Sequence, residues 1–375
     1  MNHSNTIEQF FALIRSGLWG GKAASSPFDG GADWEALLRL ASMQSLTGIF
    51  ADGAGTLPRE LMPPAETARR LFVTVESIRR ANRRLDAVLA ELEAGLRREG
   101  IEGILLKGQG VARAYLHPEL RMCGDIDLYP GKGDAYLRCC EIVRSLGESE
   151  GREDESEKHF HFNRRGCSIE IHSHVMLAAD PFVNRRLQRW TDEMLDDPSK
   201  LRHVEINGVE VNLPPVDFDA VFILQHIANH LLKGGIGLRQ LCDWSRYLHV
   251  HAAEIDRARL GNNLRTLRLM NCWQLFGWLA VNRLGLPEAE MPFYSPRHEK
   301  RALRCLRIIL RKGNFGQYDK AARRNLDINF ILRKMQTCLI VIGQHAELLR
   351  VIPAEVLRHL PWYLLDGIKR LFTGK

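Results

Sequence analysis

The pattern of apolar and polar positions divides the 375-residue chain into a helical part, a part where strands and helices mix, and a second helical part. Apolar residues at 7, 10, 11, 13, 14 and 18 mark one face of a helix that Gly20-Gly21 stops. After a loop over 25–33, Asp33 is placed to cap a helix from Trp34 to Ala41, and Pro58, Pro63 and Pro64 break the chain. The spacing then predicts a long amphipathic helix over 65–98. Its apolar positions are 72, 75, 78, 85, 88, 89 and 92, with arginine pairs on the solvated face.

From Glu99 to Leu213 the period changes. Ile104-Leu105-Leu106 reads as a buried strand, Lys107 to Gly110 as a turn into a helix over 111–116, and Asp125 to Leu128 as a second strand. Gly131-Lys132-Gly133 turns the chain into a helix over 134–146, and the charged stretch 148–158 reads as an exposed approach to a hairpin. In that hairpin His159–Asn163 pairs with a strand from Cys167 to His174. A second hairpin turns on Asn207-Gly208, the strongest two-residue turn signal in the chain. The fold class is therefore α+β: a small mixed β-sheet core over 99–213, flanked by a helical region over 1–98 and a helical domain over 214–375. In the last part, helices are expected over 217–232, from 237 onward, and over 263–283, 298–312, 326–349 and 353–372.

The stretch from Ile104 to Tyr129 carries the candidate chemistry. Asp125 and Asp127 are two residues apart on a strand, so both carboxylates leave the same face. Glu170, on the later strand, shares a face with His172 and His174 and can complete an acidic trio. Anions gathered this closely repel unless a cation sits between them, and oxygen ligands suit Mg2+ or Mn2+, hard ions that carry nucleotide phosphates. Backbone amides of the Lys107-Gly108 turn can cradle a phosphate, with the lysine adding positive charge. Phosphoryl chemistry is the leading expectation. His172 is placed to donate a hydrogen bond that orients Glu170. Neighbouring His159, His161 and His174 are read as structural or substrate-contacting, because the oxygen-rich trio favours magnesium over zinc. A dinucleotide fingerprint is disfavoured, since Gly108-x-Gly110 is followed by Arg113 at its last position.

Two longer strings add to this. L-L-K-G-x-x-x-A-x-x-Y over 105–115 and L-R-x-x-G-D-I-D-L over 120–128 resemble the nucleotidyltransferase (DNA polymerase beta-like) superfamily, in particular its bacterial branch of poorly characterised nucleotidyltransferase-like proteins. The resemblance is specific over 101–174 and weaker up to 248. It implies transfer of a nucleoside monophosphate from a nucleoside triphosphate to an acceptor, which in the superfamily is a small molecule, a protein or RNA, with release of pyrophosphate. Asp125 and Asp127 are then ligands of two divalent metals, and Glu170 the third ligand or base. Lys107, Gly108, Arg121 and Gly124 belong to the matched strings at the nucleotide site. His230, Arg239 and Asp243 become candidates for a base, sugar or acceptor pocket, beside the plainer reading of a buried polar network joining two helices. Two departures stand out: Lys107-Gly108 where the superfamily usually has Gly-Ser, and Glu170 where aspartate is commoner. They motivate an alternative, a non-catalytic nucleotide-binding or scaffold protein that retains the fold.

Composition narrows the setting only a little. Hydrophobic residues make up 45% and charged residues 26%, as in a chain with a substantial core. The net charge of +7, from 52 basic and 45 acidic residues, does not favour nucleic acid as a partner at this length. Eight cysteines without C-x-x-C spacing argue against zinc and for a reducing compartment. No stretch approaches the roughly 18–20 apolar residues of a membrane span. Residues 1–5 show no secretory leader, so a cytoplasmic protein is expected.

Overall fold

The computed structural model describes residues 3–146, 152–154, 159–319 and 330–373. It opens with four helices, α1 (His3–Trp19), α2 (Trp34–Met43), α3 (Thr47–Ala54) and α4 (Ala65–Arg98). Asp33 caps α2 as its position suggests, accepting a hydrogen bond from Ala36 N at 3.0 Å. Helix α3 was not anticipated, because Gly48 and Gly53 weaken its local helix signal. Close packing overrides that cost: a methyl group at Gly53 would stand 1.9 Å from the carbonyl oxygen of Leu13 on α1. In α4 the inward stripe begins with Leu71 rather than Phe72, which is exposed, and continues through Val75, Ile78 and Leu85 to Leu96.

The middle of the chain contributes β1 (Ile104–Leu106), α5 (Gly108–Ala112), β2 (Asp125–Tyr129), α6 (Asp134–Leu146), β3 (Arg152–Asp154), β4 (His159–Arg164) and β5 (Cys167–His172). It continues with α7 (Pro181–Leu195), β6 (Arg202–Ile206) and β7 (Val209–Leu213). Helix α5 starts at Gly108, three residues earlier than expected. The charged stretch contains β3, and its other residues, 148–151 and 155–158, lie outside the described residues. Helix α7 was also unanticipated, although Asp180-Pro181 is a start signal, with the Asp180 side chain accepting from Phe182 N and Val183 N.

Seven strands form one mixed sheet in the order β3-β4-β5-β2-β1-β7-β6. Two neighbouring pairs, β2 with β5 and β1 with β7, run parallel, and the others are antiparallel. Alternation along the strands sorts side chains between two faces. Leu105, Ile126, Leu128, Phe160, Phe162, Ile169 and Ile171 join the buried cluster that includes Leu85 to Leu96 of α4 and Cys139, Cys140 and Val143 of α6. The opposite face of β2 and β5 is polar.

The rest is helical: α8 (Val216–Lys233), α9 (Leu238–Val250), α10 (Arg257–Thr266), α11 (Met270–Leu279), α12 (Glu299–Lys312), α13 (Phe330–Leu348) and α14 (Pro353–Thr373). The single helix expected over 263–283 is divided at Arg268, whose φ of +58° cannot continue a helix. Of the helix expected over 326–349, residues 326–329 lie outside the described residues. A second buried cluster joins α1, α2 and α3 to α8, α9, α11 and α12, so the two helical parts pack on each other as well as on the sheet. All eight cysteines carry free thiols. Among the described residues no helix is long and apolar enough to cross a membrane.

Glu93 breaks the apolar run of α4. It is fully buried, and neither carboxylate oxygen has a hydrogen-bond partner among the described residues. Burial raises its pKa from 4.5 to about 7. A carboxyl with a raised folded pKa stabilises the fold below its unfolded pKa and loses that contribution as pH rises through the folded value. The shift corresponds to about 3 kcal/mol lost on going to pH 8. Glu93→Gln is expected to unfold at higher urea than the wild type at pH 8, with the advantage gone by about pH 4.5. An equal difference at both pH values would show that Glu93 is not held neutral.

Candidate active site

The register of β2 against β5 places Asp127 opposite Glu170 and Asp125 opposite Ser168. With their apolar neighbours turned toward α4 and α6, the acids face a cleft of about 390 Å³. Its floor holds Asp125, Asp127, Glu170 and His172, with Lys107 and Gly108 from the end of β1. The facing wall comes from His226 and His230 of α8 and Arg239 and Asp243 of α9, joined by Phe315. Arg121 and Gly124, from the approach to β2, complete it. The three acids, Lys107, Gly108, Arg121, Gly124, His172, His230, Arg239 and Asp243 therefore all line this one cleft, although they are spread over more than a hundred positions, whereas His161 pairs with Ser168 outside it. A larger trough of about 1710 Å³ lies between α2 and α13. Its lining charges Lys312, Asp319 and Glu347 are joined in ion pairs, which leaves the smaller cleft as the place where acids are gathered.

Asp127 is the centre of the floor. It is 2% exposed, its Oδ1 lies 3.2 Å from Lys107 Nζ, and His172 Nε2 donates to the same oxygen at 2.9 Å. Burial acts to raise its pKa, but the lysine charge and the bond from His172 outweigh burial and hold it well below the usual carboxylate range. Lys107 keeps its proton for the matching reason: burial opposes the charge, and Asp127, Asp125 and Glu170 together favour it more. Its backbone has φ +55°, a region glycine prefers. Asp125 is pushed upward, first by the neighbouring Asp127 and then by burial. Glu170 is raised to about 7, first by burial and then by the two aspartates.

The sequence reading gave His172 the task of orienting Glu170; the structure gives it Asp127 instead. His172 Nε2 is 3.6 Å from Glu170 Oε2, beyond a good hydrogen bond. Glu170 stands directly opposite Asp127, so the bond from His172 crosses diagonally between β5 and β2 to an oxygen that Lys107 also approaches. Asp127, Glu170 and His172 each offer one ligand atom, all within 4.8 Å of one another. Two carboxylates and an imidazole are a donor set that a divalent cation such as Mn2+ accepts, and Mg2+ accepts the oxygens. Among the described residues this is the group that gathers as a cation site, and Asp125 stands outside it.

Arg121 and Asp243 are bonded to each other. The guanidinium donates to both carboxylate oxygens, Nε to Oδ1 at 2.7 Å and Nη2 to Oδ2 at 2.8 Å, and Tyr115 OH donates to Oδ1 at 2.7 Å. Both charged residues are 5% exposed. This network ties α9 to the segment leading into β2. Nothing local in the sequence reveals this role of Tyr115, because its partner is distant in the chain. Arg239 donates to the Met122 carbonyl, while its Nε has no hydrogen-bond partner among the described residues. His230 lies 4.2 Å, ring to ring, from His226 and 5.0 Å from Phe315. Burial, and then the nearby Lys107 charge, keeps His226 neutral by pushing its pKa well below the ordinary histidine value. Phe315 was missed, and its only local signal is the Gly313 to Gly316 turn around it.

Residues 30–285 match a family model described as uncharacterised nucleotidyltransferase. No curated protein matches the chain. Among solved structures, it is similar to an antigenic nucleotidyltransferase-like protein from Paracoccidioides brasiliensis, at 15% identity and a TM-score of 0.31, over 49% of this chain and 86% of that one.

Proposed function

The chain belongs to the uncharacterised nucleotidyltransferase family, and on that premise we propose that it transfers a nucleoside monophosphate from a nucleoside triphosphate to an acceptor hydroxyl. The observation that carries this reading is the floor of the cleft: three carboxylates on two adjacent parallel strands, beside a lysine at a glycine turn. Asp127, Glu170 and His172, with Asp125 alongside, would hold divalent magnesium or manganese. When bound, such cations neutralise the triphosphate and the charge that develops on it.

The chain's own groups do the rest. Lys107 and the amides after Gly108 bind the phosphates that leave. Glu170, with a pKa of about 7, is poised to take the proton of the acceptor hydroxyl. The acceptor oxygen forms a bond to the α-phosphorus as the bond from that phosphorus to the bridging oxygen breaks, and pyrophosphate departs. Before a cation binds, His172 keeps Asp127 ionised and aligned. A second reading, a nucleotide-binding protein without catalysis, is favoured by one observation: the Lys107 ammonium already neutralises Asp127 from within.

The test is thermal stabilisation by the four ribonucleoside triphosphates with and without magnesium, on the wild type and on Asp125→Asn/Asp127→Asn. Stabilisation that requires both metal and acids is expected, of about 2–4 kcal/mol at ligand concentrations well above Kd. No stabilisation of the wild type by any triphosphate would remove the reading. Release of pyrophosphate in the presence of an acceptor extract separates the enzyme from the non-catalytic binder.

A further inference from the structure

The cleft has an aromatic wall that metal and phosphate chemistry does not use. Phe315 is 42% exposed, lines the cleft, and sits in left-handed backbone with φ +52° and ψ 23°. A bulky residue in that conformation is strained, and a ring left in water returns little hydrophobic stabilisation to offset the strain. The placement is nevertheless rigidly built. A methyl group at Gly316 would stand 2.3 Å from the Gly234 carbonyl oxygen, so the turn after α12 lies directly against the turn after α8. Gln240 Nε2 donates to Asn314 Oδ1 at 3.2 Å, and Gln240 Oε1 accepts from Gly237 N at 3.0 Å. These contacts clamp the Phe315 turn to the start of α9.

From Phe315 a series of rings runs along the wall to His226 and then behind it to the buried Phe222. His230 is 5.0 Å away, His226 is 4.2 Å from His230, and Phe222 is 6.4 Å from His226. Lys107 Nζ then lies 5.9 Å from the Phe222 ring centre, which brings the series back to the acidic floor. Phe315 and Lys107 line the same cleft, so the aromatic group and the phosphate-binding group face one space.

We propose that Phe315, supported by His230, is the stacking platform for the base of the nucleotide whose phosphates lie over Asp125, Asp127 and Lys107. The proposal rests on the nucleotidyl reading above and adds the base subsite to it. A flat π-face fits on an exposed aromatic ring, whereas an aliphatic or sugar group gains less from it. Stacking is tolerant of base identity, so this platform provides affinity for nucleotides rather than choice among them. Phe315 lies beyond residues 30–285, so the matched family region does not supply it.

The experiment is calorimetric titration of the full chain with magnesium ATP and, separately, magnesium tripolyphosphate, which has the phosphates without the base. Phe315→Ala is expected to bind ATP about tenfold more weakly, within the range of one base–aromatic stack, with tripolyphosphate affinity unchanged. Phe315→Trp is expected to restore ATP binding, which a purely structural role for the phenylalanine would not allow. Equal loss for both ligands, or no loss for ATP, overturns the platform while leaving the phosphate site standing. Failure of the wild type to bind either ligand overturns the nucleotidyl reading and the platform with it.

Discussion

Asp127→Asn is expected to lower nucleotidyl transfer by on the order of 10³-fold or more, and to destabilise the protein even with no ligand present. The two effects have one origin. Asp127 Oδ1 receives both the Lys107 ammonium and the His172 hydrogen bond, at a site 2% exposed. An amide in its place removes a carboxylate from the cation-binding group and leaves a largely buried ammonium facing a neutral partner. Removing one member of a buried pair costs about 3–5 kcal/mol. Here about 2 kcal/mol is expected, because Lys107 retains some solvent contact and Asp125 nearby.

Asp125→Asn should behave oppositely in the unliganded protein. Its carboxylate is crowded by Asp127 and burial, so its removal relieves repulsion and raises stability, while metal-dependent ATP binding still falls. Urea unfolding near pH 7.5, beside ATP titrations with magnesium, checks both variants. Equal destabilisation by the two substitutions would mean that Lys107 is not specifically paired with Asp127.

Arg121→Ala is expected to destabilise the fold by about 3–5 kcal/mol, because it leaves the Asp243 carboxylate buried without its counter-charge. Asp243 is kept below the usual carboxylate range: burial opposes this, and Arg121 prevails. The double variant Arg121→Met/Asp243→Leu should recover most of the loss, since replacing a buried pair by apolar groups is often close to neutral. A double-mutant cycle by chemical unfolding measures the coupling. Should Arg121 instead contact substrate, as the family resemblance implied, Arg121→Ala would weaken nucleotide binding with stability nearly unchanged. Because the pair joins α9 to the segment before β2, the destabilised variant is also expected to hold the cleft less firmly.

Both predictions depend on facts that differ in how far the sequence revealed them. That Asp125 and Asp127 share a face, that Glu170 points away from Ile169 and Ile171, and that Asn207-Gly208 turns a hairpin follow from backbone geometry within a few residues. The long helix before the sheet was legible for the same reason, with its inward face off by one position at Leu71. Periods of 2 and 3.6 are local properties, and the amino-acid order determines them directly.

Which polar groups meet is not local. His172 bonds Asp127 rather than Glu170, across the diagonal that the parallel pairing of β2 and β5 creates, and no local spacing reveals that pairing. Arg121, Asp243 and Tyr115 became one buried network only when α9 packed beside α5 and the approach to β2. Phe315 reached the cleft from the turn after α12, through two glycine turns in backbone contact. By itself, then, the sequence determined most of the elements, the faces of their side chains and the acids of the cleft floor, while α3, α7 and Phe315 escaped it. Only the tertiary structure decided their partners, since pairing energies act between groups brought together from distant parts of the chain.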